Sequence, residues 1–176
     1  MRPYCIITAA ACAITLFSSC NHNNEPPAEV VIPIHDIYLP CSVTIDRNDA
    51  DLVERYREWN NKVVIVNSPD QLPDDPLGFN KSYTSGINFN NESLLLVYRI
   101  FPFDCIDTYR CRFTKNNLEN RYEWGLSIGS SDYDTDDEGK RTFNRFAISV
   151  YKLPTEAELT VWWSLTDYNF TWDSSD

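Results

Sequence analysis

The sequence predicts a mainly β domain of the α+β kind, an antiparallel sheet or meander of about six strands with one packed α-helix. Three observations carry that prediction. Beyond Gly86 the hydrophobic period becomes two and stays two almost to the end, the pattern of strands with one face on a core. Leu94 to Phe101 is apolar at every position except Arg99, as expected of a central strand covered on both faces. Helical spacing occurs convincingly once, where Leu52, Tyr56 and Trp59 recur at i, i+4 and i+7.

Taken in order, Asn48 or Asp49 suits an N-cap, and Ala50 to Asn61 reads as the helix, with Glu54, Arg55, Arg57 and Glu58 on its wet side. Val63 to Val66 is a short β-branched strand stopped by Ser68-Pro69-Asp70, and the chain from there to Gly86 reads as loop. After the Leu94 run, Cys105, Tyr109, Cys111 and Phe113 share one face, opposite Thr108, Arg110, Arg112 and Thr114. Lys115-Asn116-Asn117 turns the chain, and Tyr122, Trp124, Leu126 and Ile128 then oppose Arg121, Glu123 and Ser127. Phe146, Ile148 and Val150 mark the next strand. Leu159, Val161, Trp163 and Leu165 mark another, with Trp162 on its polar side.

The N-terminus sets the expected location. Arg2 precedes an uncharged apolar run of 14 residues, Tyr4 to Phe17, the length of a signal-peptide core and short of the roughly 20 residues that cross a bilayer. Ser18 and Ser19 precede Cys20, so cleavage there frees a cysteine whose sulfur can carry a diacylglycerol, an arrangement that resembles the lipobox of bacterial lipoproteins. Phe17 stands where that pattern usually has Leu, with Leu16 one step earlier. If Cys20 is instead incidental, the signal is an ordinary one and the product is free in the same compartment. The expected organisation is a signal peptide over 1–19, a lipid-anchored spacer over 20–29 rich in Asn and Pro, and a single mainly β domain over 30–176. The expected setting is the cell envelope, tethered to a bacterial membrane and facing periplasm or cell surface.

Without Arg2, 14 basic residues face 26 acidic ones, a mature charge of −12. That balance argues against nucleic acid and against charge-driven binding to anionic lipid, leaving membrane contact to the acyl chains. Of six cysteines, Cys5 and Cys12 leave with the signal and Cys20 is the lipid site. Three remain in an export compartment that permits disulfides. Cys105 and Cys111 lie six apart in what reads as one extended strand, too far apart to bond, so a bridge would join Cys41 with Cys105 or Cys111. The alternative is three reduced cysteines serving as small apolar residues.

The order of a lipobox, VIVNSPDQL, INFNNESLLLVYRI and then alternating strands resembles small Bacteroidetes-type lipoproteins of unassigned function. The block Ile87 to Val97 is also similar to the protease-complex-subunit-like family. The resemblance implies a mainly β domain on a tether and brings no catalytic residue with it.

Chemistry has few candidates. Asp132, Asp134 and Asp136 alternate in a loop and could converge on calcium, but Asp137 stands where the EF-hand needs glycine and Phe143 where it needs a bidentate Glu. The plainer reading is a solvated acidic hairpin loop between Ile128 and Phe143, and no other cofactor is expected. His22 lies in the spacer and His35 near its end, leaving the strand-rich body without a histidine base. No H-E-x-x-H, C-x-x-C or glycine-rich phosphate loop occurs, and an enzyme is not expected. A pair of carboxylates for a hydrolase is the alternative, since sequence spacing does not fix their separation. Among the 24 aromatic residues, Trp162 on a polar face and Tyr168, Phe170 and Trp172 in the last segment suit sugar stacking or a protein anchor. The plainer reading of that segment is one more edge strand. The expected function is a non-catalytic accessory or interaction module for a protein or glycan partner, with Trp162, Tyr168 and Trp172 as candidate ligand contacts. A calcium-stabilised surface module is a further alternative.

Overall fold

The computed structural model describes residues 28–46, 48–78, 84–102, 106–130 and 140–167. Among them run eight strands and one α-helix: β1 Glu29–Val31, β2 Ile34–Asp46, α1 Ala50–Arg57, β3 Val63–Val66, β4 Glu92–Phe101, β5 Thr108–Asn116, β6 Arg121–Ser130, β7 Lys140–Tyr151 and β8 Leu159–Asp167. They form two four-stranded sheets, one ordered β1-β5-β6-β8 and the other β2-β7-β4-β3. The fold is mainly β, as expected, but it is a two-sheet sandwich rather than one meander of about six strands.

The chain changes sheet repeatedly, which is why a meander fails. Only β5 and β6, and β3 and β4, are both consecutive and paired. The strand β7 inserts between β2 and β4. The last strand, β8, runs parallel to β6, with Gly125 beside Trp162 and Ser127 beside Ser164. Sequential strands tell nothing about which sheet each joins, so this crossing was invisible to periodicity. For the same reason the expected hairpin between Ile128 and Phe143 is not one: β6 and β7 lie in different sheets.

Two strands were absent from the expectation. With Pro33 and Pro40 in it, the stretch from 30 to Cys41 reads as part of the domain without a strand, yet β2 spans 13 residues. Proline is tolerated here because β2 is an edge strand, and the register shifts between Tyr38 and Cys41, around Pro40. His35 therefore belongs to the body of the fold, a correction to its place in the spacer. Its Nδ1 lies 3.0 Å from Glu92 Oε1, and its ring stands edge-on to Tyr151 at 4.2 Å, a row across three strands of one sheet.

The core has two compartments. Between the sheets pack Leu95, Val97 and Phe101 of β4, Phe146, Ile148 and Val150 of β7, and Phe113, Trp124, Leu126 and Ile128 from the other sheet. On the opposite face of β4 and β7, Leu94, Leu96, Tyr98 and Phe143 pack under Leu52 and Tyr56 of α1 and under Leu72, Leu77, Ile87 and Phe89 of the long connection to β4. Cover on both sides explains the unbroken apolar run in β4.

The helix is one turn shorter than its periodicity suggested. Asp49 caps it by accepting from the Leu52 N–H at 3.0 Å. After Glu58 the backbone turns, and Asn61 adopts a left-handed φ of 66°, which asparagine tolerates better than most residues. Asn60 Oδ1 accepts from the Ile100 N–H at 2.9 Å, and the Asn61 N–H donates to the Tyr98 carbonyl at 2.8 Å. These two bonds seat the turn on β4.

Candidate functional site

Among the described residues, one sheet is covered on both faces and nothing packs on the outer side of the other. Alternation places Arg110 and Arg112 of β5, Glu123, Gly125 and Ser127 of β6, and Thr160, Trp162 and Ser164 of β8 on that outer face. The inward residues of β5 and β6, among them Phe113, Trp124, Leu126 and Ile128, pack between the sheets, so the outward ones are free to be polar. Arg112 meets Glu29 of β1 at 3.2 Å, both exposed. Such a pair contributes little stability.

Trp162 is the aromatic centre of this face, 46% exposed. Its six-membered ring lies over Gly125, and a methyl group added at Gly125 would overlap that ring. Glycine here serves close approach: it lets the indole lie against the sheet with its other side toward solvent. Thr160 and Ser164 flank the ring along β8, Glu123 and Ser127 along β6, and Arg112 lies one strand beyond Gly125. An apolar plate ringed by hydroxyl, carboxylate and guanidinium groups can stack on a flat apolar patch while hydrogen-bonding its rim.

The remaining expected site residues distribute as follows. Cys20, Cys105, Asp132, Asp134, Asp136, Tyr168 and Trp172 lie outside the described residues. Cys41 and Cys111 are both free thiols. Cys41 sits opposite Arg145 in register and shares the parity of Val43 and Ile45, on the face under α1. Cys111 packs between the sheets. The two thiols are thus on opposite faces of the second sheet, and a Cys41–Cys111 bridge is not formed. Burial pushes the Cys111 thiol up from its ordinary pKa, with the Trp124 indole pulling partly back.

The sequence reading missed the buried polar network on the helix side. Asp75, in the long connection, accepts from the Leu77 N–H at 2.9 Å, from the Tyr98 hydroxyl at 2.8 Å and from Arg145 Nη1 at 2.7 Å. The side chains of Arg145 and Asp75 are 6% and 0% exposed. Desolvation first, and then the hydrogen bond to Asp75, push the Tyr98 hydroxyl well above its ordinary pKa. This network pins the connection to the sheet. Burial also raises Tyr38 and Tyr109, and the Tyr109 hydroxyl donates across the sandwich to the Tyr38 carbonyl at 2.6 Å.

No helix among the described residues is long and apolar enough to cross a membrane. Comparison of the chain with models of known families, with curated proteins and with solved structures returns no match.

Proposed function

We propose that this protein is an exported, lipid-anchored accessory module that binds a glycan through the outer face of the β1-β5-β6-β8 sheet and performs no chemistry on it. The observation that carries the reading is the Trp162 indole seated on Gly125, half exposed amid hydroxyl and charged groups. Sugars present an apolar face of C–H groups with hydroxyls at the rim, and this surface offers the matching arrangement. A protein partner is the weaker fit. Protein interfaces centre on clustered apolar anchors, whereas the other exposed apolar side chain on this face, Val31, is on β1, separated from β8 by two strands.

The tether rests on the N-terminal sequence alone: a short apolar run, two small residues and Cys20. Labelled palmitate entering the wild-type protein and not Cys20→Ala is the expected result in a bacterial host; equal labelling, or none, removes the anchor. For the face, the wild type and Trp162→Ala are compared on an array of neutral and acidic oligosaccharides. Loss of the stacking plate lowers affinity about tenfold. Retention of every glycan by Trp162→Ala, or capture of polypeptide only, refutes the assignment.

A further inference from the structure

A second recognition site lies at the side of the sandwich, where β3, the edge of one sheet, meets β8, the edge of the other. There a cleft of about 410 Å³ opens, walled by Val63, Val97, Leu159, Val161 and Trp163, with Asn61, Arg99 and Thr160 as its polar groups. That volume is within the range of small-molecule sites.

Arg99 is the anomaly that gives the cleft its chemistry. It has the parity of Leu95, Val97 and Phe101, the residues of β4 that face the other sheet, so a guanidinium occupies a position that the pattern reserves for an apolar side chain. It sits over the Trp163 ring, 5.7 Å from the ring centre, and one of its terminal nitrogens donates to Asn61 Oδ1. Its Nε–H is buried and finds no acceptor among the described residues. The cross-strand neighbour on the same face is Asn144, fully buried, and its Oδ1 finds no donor. The two orphans are therefore not each other's partners. A buried donor left unpaired is costly, and such groups in native folds need an explanation.

We propose that this cleft binds a carboxylate carried on an apolar body, with Arg99 as the charged partner and Trp163, Leu159 and the valines as the apolar wall. With Nη1 held by Asn61 and Nε buried, the second terminal nitrogen of the guanidinium is the donor that can meet a carboxylate oxygen. Asn61 stands at the wall as a further hydrogen-bonding group. Trp163 holds the guanidinium plane by cation–π contact. The net negative charge of the chain opposes anionic ligands at long range, so affinity must come from these short contacts. The site is distinct from the Trp162 face and stands without it.

The test follows side-chain Nε–H and indole N–H signals of the full chain by nuclear magnetic resonance. The probes are 4-phenylbutyrate, its uncharged amide, and a Gly-Leu-Phe tripeptide with either a free or an amidated C-terminus. The expected result is saturable movement of the Arg99 Nε–H and Trp163 signals with the charged probes, and binding weaker by about tenfold to a hundredfold for the amides. A free acid and a peptide terminus are told apart by which charged probe binds more tightly. Arg99→Gln is expected to lose the preference for charge, Arg99→Lys to keep part of it, and Trp162→Ala to leave it unchanged. Equal binding of acid and amide to the wild type, or no movement with any probe, overturns the proposal without recourse to a variant.

Discussion

Replacing Asp75 by alanine tests the buried network directly. The change removes the carboxylate that Arg145 Nη1 and the Tyr98 hydroxyl both contact, and the guanidinium that loses this contact is only 6% exposed. Breaking one side of a buried pair costs about 3–5 kcal/mol. In a domain of this size each kcal/mol moves the melting temperature by about 2–4 °C, so a fall of roughly 6–20 °C is expected by calorimetry or circular dichroism at neutral pH. The double variant Asp75→Leu with Arg145→Met replaces both charges by apolar groups and should recover most of that loss. A drop of less than about 3 °C for Asp75→Ala would mean that the carboxylate is hydrated and the long connection does not seal this face.

Other outcomes follow from the same contacts. Gly125→Ala drives the Trp162 ring off the sheet; its fluorescence should shift to the red and glycan retention should fall as in Trp162→Ala, with a stability cost of about 1–3 kcal/mol. Above pH 10 the unfolded chain releases the Tyr98 proton while the folded chain keeps it, since folding raises this pKa. The folded state then binds more protons, and stability should fall by about 1.4 kcal/mol per pH unit from this group, a slope that urea titrations should show in the wild type and find reduced in Tyr98→Phe. Cys111, buried between the sheets with its thiol pKa raised, should react slowly with a disulfide reagent at pH 8 and rapidly in urea. Asn61→Gly keeps the left-handed turn but removes the contact to Arg99, so it should leave the melting temperature within about 1 kcal/mol equivalent while weakening phenylbutyrate binding.

Local pattern revealed some of this molecule and concealed the rest for identifiable reasons. Val63–Val66 is a strand with the expected bounds, and the apolar continuity of β4 correctly implied cover on both faces. Trp162 was legible as an aromatic on a polar face; its seat was not, because Gly125 is 37 positions away and becomes its neighbour only through a parallel pairing. Arg99 stood out in sequence as the single break in an apolar run, but its direction into the space between sheets depends on the other sheet being there. β2 was hidden by Pro33 just before it and by Pro40 within it, which an edge position forgives. Asp75 looked like one more loop acid, since nothing nearby in sequence names Arg145 as its counter-charge.

The shortness of β1 has a mechanical consequence. Its three residues pair with β5 from Glu29 opposite Asn116, and the chain then passes through Pro33 into the long ladder of β2 against β7. Tension applied through the residues preceding Glu29 meets that small ladder first and can peel it one pair at a time. The thirteen-residue strand behind it is loaded only afterwards. β1 thus acts as a yielding link, letting the chain lengthen under a tug while the sandwich stays whole.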